Sequence, residues 1–156
     1  MITTDISFEL PHPIDTVFNY VSNMQYLSAW GEGINAVEQI KGDGPGVGSV
    51  YRCTIGPVLP VLGMSGDYEM IEYEMNKKLV CRLNNPMLSF EDTYEFEAKG
   101  DSTHLRIVDR LKLPFFLTPA EGLIAPVVRA QIEKDRDNLL KILASVPDGT
   151  SANRVA

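Results

Sequence analysis

The sequence predicts an α+β domain in which a curved antiparallel sheet of about seven strands wraps a long C-terminal helix around an internal apolar cavity. Three observations carry that expectation. Most of the chain between Ile2 and Leu113 falls into short runs of period-two hydrophobicity, a short amphipathic helix follows the first of them, and a long apolar stripe at helical spacing closes the chain. A helix near each end with a meander between them places both helices on one face of the sheet.

The elements follow in order. Ile2 to Leu10 alternates over Ile6, Phe8 and Leu10 and reads as a half-buried strand, ended by Pro11 and Pro13. Ile14, Val17, Phe18 and Val21 recur at helical spacing behind Pro13, which suits a first helical turn. Gln25 to Trp30 adds a turn before Gly31 and Gly33, and Ile34 to Ile40 is a strand. After the turn at 41–46, Val47 to Ile55 alternates, with Tyr51, Cys53 and Ile55 expected inward. Gly56 to Gly63 is apolar but holds two prolines, which predicts a loop. Tyr68 to Glu74 and Leu79 to Leu83 are strands, the first carrying apolar residues on both parities, the mark of a bulge or of two covered faces. Leu88, Phe90, Tyr94, Phe96 and Ala98 share one face of the next strand. Leu105, Ile107, Leu111 and Leu113 share one face of the last, and the tight turn Lys99-Gly-Asp-Ser102 joins the two. Thr118-Pro-Ala-Glu121 has the spacing of a capping box at a helix start, and Pro126 kinks that helix or begins a second. Val128, Ile132, Leu139, Ile142, Leu143 and Val146 mark its apolar side. Residues 1–146 thus form one domain, and 147–156 a loose tail.

Composition narrows the function classes. A chain of 156 residues buries roughly two-thirds of its unfolded surface and needs no staples. With 44% apolar and 22% charged residues, and no long apolar run, it reads as a soluble globular domain without stable membrane insertion. The opening residues show neither a basic nor an apolar leader region, so a cytoplasmic location is expected. Cys53 and Cys81 stand alone in strands, which predicts buried thiols and no metal site. A net charge of −7 and the absence of a basic patch argue against a nucleic-acid partner. Phosphate loops and Ser/His/Asp sets are absent, which removes nucleotide-binding and hydrolase readings.

Leu10-Pro-His-Pro-Ile-Asp-Thr-Val-Phe18, Trp30, Gly46-Val-Gly-Ser-Val-Tyr-Arg52, Tyr68-Glu-Met-Ile-Glu-Tyr73 and Asp137-Asn-Leu-Leu140 resemble the START-related superfamily (SRPBCC, helix-grip fold), and within it the polyketide cyclase/dehydrase group. The resemblance spans residues 2 to 146 and rests on turn and packing residues, so it implies fold and cavity more than activity. It implies a small hydrophobic molecule as partner, with lipid carriers, allergen-type binders, aromatase/cyclases and co-chaperone domains as the range of function. The aromatic cyclases of the family carry a cavity arginine on the strand matching Met64 to Glu74; here that strand holds no Arg or Lys.

Two aspartates interrupt the inward stripes of the last hairpin. With Gly100 and Asp101 at the centre of the turn, Phe96 faces Leu105, Tyr94 faces Ile107 and Asp92 faces Asp109, about 5 Å apart on an apolar wall. Such a pair shares a proton at neutral pH and suits general acid/base work in a cofactor-free cyclisation or dehydration. The alternatives are structural: Arg82 or Arg129 bridges both carboxylates, the pair lies in water at the open end of the sheet, or a two-residue register shift separates it. Trp30, Tyr51, Cys53, Tyr73, Arg82, Phe90, Tyr94, Phe96, Ile107, Val128 and Ile132 are the expected ligand-lining residues, with Tyr51 and Tyr94 as donors to the ligand. Glu32 is expected as a solvated turn residue; His12 and His104 fit neither a metal ligand nor a base. The apolar segments at 56–63 and 113–117 read as a ligand entrance, or as a docking patch for a membrane, a partner or a second copy in a homodimer. Beside the enzyme reading stand a carrier or sensor of a lipid, isoprenoid or aromatic metabolite, and a protein-interaction module.

Overall fold

A computed structural model describes residues 1–56, 64–86 and 88–146. The expected entrance loop and the tail at 147–156 lie outside these residues, apart from Gly56. The elements are β1 (Ile2–Leu10), α1 (Ile14–Ser22), a 3-10 turn (Met24–Tyr26), α2 (Leu27–Trp30), β2 (Ile34–Lys41), β3 (Val50–Ile55), β4 (Met64–Glu74), β5 (Lys78–Asn84), β6 (Ser89–Lys99), β7 (Ser102–Lys112), a 3-10 segment (Phe115–Ala120) and α3 (Glu121–Leu143). The seven strands form one antiparallel sheet in the order β1-β7-β6-β5-β4-β3-β2, so the chain's first strand pairs with its last. The α1 helix packs on β6 and β7, and α3 on β1 and α2, which puts the helices on one face.

The inward stripes are those the period-two pattern requires. Tyr51 and Cys53, Leu79, Cys81 and Leu83, Tyr94 and Phe96, and Leu105, Ile107 and Leu111 are all buried. A bulge between Met70 and Glu72 in β4 explains its two apolar parities. Tyr68 and Met70 face inward before the extra residue, and the parity then flips so that Tyr73 pairs with inward Leu79. At the β6–β7 turn Gly100 takes φ +62°, a left-handed conformation that glycine adopts without a Cβ clash. On the outer face Arg106 ties Asp5 (2.7 Å) to Glu95 (3.0 Å), and Arg82 meets Glu91 at 2.8 Å.

The entry into the last helix differs from the capping box expected at Thr118. Thr118 lies inside the 3-10 segment and its carbonyl accepts the Glu121 N–H, so its side chain does not cap α3. Proline at 119 fits a tight 3-10 turn, which hands the chain directly into the helix. The α3 helix then runs unbroken for 23 residues through Pro126, with Ile124, Val128, Ile132, Leu139 and Leu143 buried.

Candidate functional site

The core is filled beneath α1 and open beneath α3. Phe18 sits with no exposure between Phe96 (ring centroids 5.0 Å) and Tyr73 (5.6 Å), closing that half of the sheet. Under α3 the facing side chains are Val128 and Ile132, too short to reach the sheet everywhere, and a cavity of about 130 Å³ remains. Its aromatic walls are Trp30, Tyr68, Phe90 and Tyr94. Leu83 borders it because Gly66, the neighbour in β4, has no side chain: a Cβ there would stand 2.8 Å from the leucine's methyl carbon.

Polar groups gather at one side of this space. Asp92 lines the cavity, and Asp109 is its direct cross-strand partner in β7. Both are 9% exposed and the two carboxyls share a hydrogen bond. The row continues across the sheet as Thr4, Asp109, Asp92, Cys81 and Met70, with no cationic side chain in it. Tyr68 donates a short hydrogen bond to Asp92 Oδ2, and Tyr94 lines the cavity beside the same carboxylate. Opposite, on α3, Asp135 lines the cavity and its Oδ1 accepts the Glu32 N–H at 2.6 Å. Asn138 Nδ2 donates to the Trp30 carbonyl at 3.1 Å, so two α3 side chains fix the α2–β2 loop that carries the cavity's edge.

Burial decides the protonation of these acids. It pushes Asp109 far above the ordinary carboxyl range, and the charge of Asp92 adds to the push. Asp92 is also raised by burial, while hydrogen bonds from Asp109, Tyr68 and Tyr94 pull it back. Both members are raised and they face each other, so the pair shares a proton at neutral pH. Burial lifts Asp135 to about 8, with the Glu32 N–H opposing and Asp92 reinforcing the rise. The Cys53 thiol is pushed up to about 12 and is neutral. Among the described residues no set of His, Cys, Asp or Glu is arranged to hold a metal ion.

The comparisons with known proteins agree with this architecture. The family described as polyketide cyclase/dehydrase and lipid transport matches residues 1–146. The chain belongs to that family. No curated protein matches it. A START superfamily protein of Mycobacterium smegmatis superposes with TM-score 0.79 at 12% identity, covering 94% of this chain and 100% of the other. A protein of Thermus thermophilus does so with TM-score 0.77 at 15% identity, covering 93% and 99%. A protein from the dynemicin biosynthetic locus matches 93% of this chain but only 48% of its own, with TM-score 0.66 and 16% identity. At these identities the likeness is one of fold.

Within this family frame the expected residues divide. Trp30, Cys53, Phe90, Asp92, Tyr94, Val128 and Ile132 line the cavity. Tyr51, Tyr73, Phe96 and Ile107 are inward but do not line this cavity: Tyr73 and Phe96 pack on Phe18, and Tyr51 and Ile107 are part of the hydrophobic core. Arg82 is on the opposite face, because position 82 has the outward parity of β5, and it pairs there with Glu91. Arg129 pairs along its own helix with Glu133 at 3.0 Å, so neither arginine bridges the aspartates. Glu32 lines the rim and meets Lys134 at 3.3 Å. Phe115 and Phe116 are exposed on the 3-10 segment after β7. No helix among the described residues is long and apolar enough to cross a membrane.

Sequence reasoning missed Tyr68, Asp135, Gln131 and Leu83. Asp135 had a signal: it sits three residues after Ile132 and four before Leu139, inside the apolar stripe of α3, as Asp92 sits inside that of β6. Tyr68 was masked by the bulge, which made the inward set of β4 unreadable.

Proposed function

We propose that this protein binds a small, largely apolar molecule in the cavity and acts on it by cofactor-free acid/base chemistry, as a cyclase or dehydratase. The observation that carries the reading is a pair of buried carboxyls facing each other across two strands, one of which, Asp92, lines a ring-sized cavity. An engineered apolar cavity of roughly 150 Å³ takes up benzene, so a space of about 130 Å³ suits one ring better than a long acyl chain. In such a step Asp92 takes a proton from a carbon beside a carbonyl, while Tyr94 turns its hydroxyl to the carbonyl oxygen. The proton held with Asp109 passes through Asp92 to the departing hydroxyl, which leaves as water. Two protons move and the pair returns to its starting charge.

A carrier is the second reading, favoured by the Tyr68 hydrogen bond that already engages Asp92. Native mass spectrometry after exposure to cell extract and a panel of aromatic and isoprenoid metabolites separates the two, using wild type and the Asp92→Asn/Asp109→Asn double variant. Catalysis predicts a bound species lighter by one water in wild type alone. Equal retention of unchanged ligand by both proteins makes it a carrier, and retention by neither overturns both readings.

A further inference from the structure

The lining of the cavity is unusual in its charge. Three of its residues are acidic, Glu32, Asp92 and Asp135, and none is Lys, Arg or His. Four more are aromatic, Trp30, Tyr68, Phe90 and Tyr94, with Trp30 set edge-on to Tyr94 at 6.3 Å and Tyr68 tilted to Phe90 at 6.0 Å. We infer that the occupant of this cavity is a small organic ammonium ion, its charge met by Asp92 and Asp135 and its apolar body held against Trp30, Phe90 and Ile132. This deepens the ligand-binding reading above and rests on the same cavity.

The chemistry follows from what a neutral ligand leaves undone. An apolar molecule filling the space further desolvates Asp92 and Asp135, which face each other across it without a counter-charge. The acids then stay protonated or ionise at a cost. An ammonium ion supplies the missing positive charge, and the electron-rich faces of the surrounding rings add to its attraction. The nearby cations do not fill this role: Lys134 is 62% exposed and turned to Glu32 at the rim, and Arg129 is held by Glu133 on the surface. A metal ion is a poorer fit, since the acids are not arranged as a ligand set. The Trp30 ring, in a residue only 2% exposed, enters this wall as an aromatic face, edge-on to Tyr94.

The groups that set the local charge are few. Tyr68 from β4, Cys53 from β3, Cys81 from β5 and Tyr94 from β6 are neutral at pH 7, as burial raises each, and Asp109 from β7 shares a proton with Asp92. The ionisable response on binding a cation therefore comes from Asp135 and the aspartate pair. Both lie above the usual carboxyl range, so a bound cation draws them down and releases protons.

Titration calorimetry at pH 7 with benzylamine and its neutral counterpart benzyl alcohol, each in two buffers of different ionisation enthalpy, reads both effects. The expected result is at least ten-fold tighter binding of the amine, with proton release for the amine alone. Asp92→Asn and, independently, Asp135→Asn should each reduce that preference, so failure of one variant to fold leaves the other. Benzyl alcohol binding as tightly as benzylamine overturns the ammonium assignment and leaves the cavity reading standing. Binding of neither overturns both.

Discussion

The two halves of the β6–β7 hairpin are built alike and packed differently. Toward the turn, Phe96 and Leu105 meet Phe18 of α1, and the core is solid. Away from it, Phe90, Asp92 and Tyr94 meet the short side chains of α3 across a cavity. Both halves bury one side-chain face per strand, yet only the second carries charged residues on that face. The difference teaches that the helix opposite, not the strand pattern, decides whether an inward position is core or site. Where a large ring fills the space, a carboxylate has no room and no partner; where a gap remains, a proton-sharing pair is tolerated.

The sharpest way to break this contrast is to truncate each half. Phe18→Ala should cost about 3–5 kcal/mol, because a fully enclosed ring leaves a new void, whereas Ile132→Ala should lie near ~2 kcal/mol at an existing one. Equal losses in urea unfolding would show both halves to be equally packed. A second contrast is in pH. Asp109 is raised in the folded state above its unfolded value of about 3.9, so its contribution is complete at low pH and lost as pH rises toward the folded value. Through this one group stability should fall by roughly 1.4 kcal/mol per pH unit, about 4 kcal/mol between pH 5 and pH 8. Asp135, lifted to about 8, adds a decline of its own, so Asp109→Asn should reduce the slope without abolishing it, and an undiminished slope would place the titration elsewhere.

Much of this contrast was legible in the sequence. Gly100 and Asp101 fixed the turn, and with it the facing of Asp92 and Asp109, because in a two-residue hairpin the register has no freedom once the turn is set. Cavity position was not legible for Tyr73, Phe96 and Ile107, since parity reports which face a residue takes but not what stands opposite. Arg82 shows the reverse limit: its outward parity beside inward Cys81 and Leu83 was readable, and it puts the residue on the sheet face away from the cavity. Tyr68 lay behind a bulge that only pairing with β5 reveals.

Two smaller effects sharpen the account further. Ile132→Phe should fill the cavity, change stability by about 1 kcal/mol or less, and abolish ligand retention in native mass spectrometry. Retention undiminished by that ring would move the binding site elsewhere. Arg82→Ala should alter stability by at most about 1 kcal/mol and leave binding unchanged, as expected of an exposed ion pair on the outer face. A loss of binding in that variant would return Arg82 to the site.

The shared proton can be observed directly. Side-chain carboxyl carbon NMR of aspartate-labelled protein, assigned with Asp92→Asn and Asp109→Asn, follows each acid through its titration. The account predicts one member of the pair still protonated at pH 7, with its resonance moving only in more alkaline solution. Ionisation of both below pH 5 would contradict it and reduce the aspartates to ordinary carboxylates.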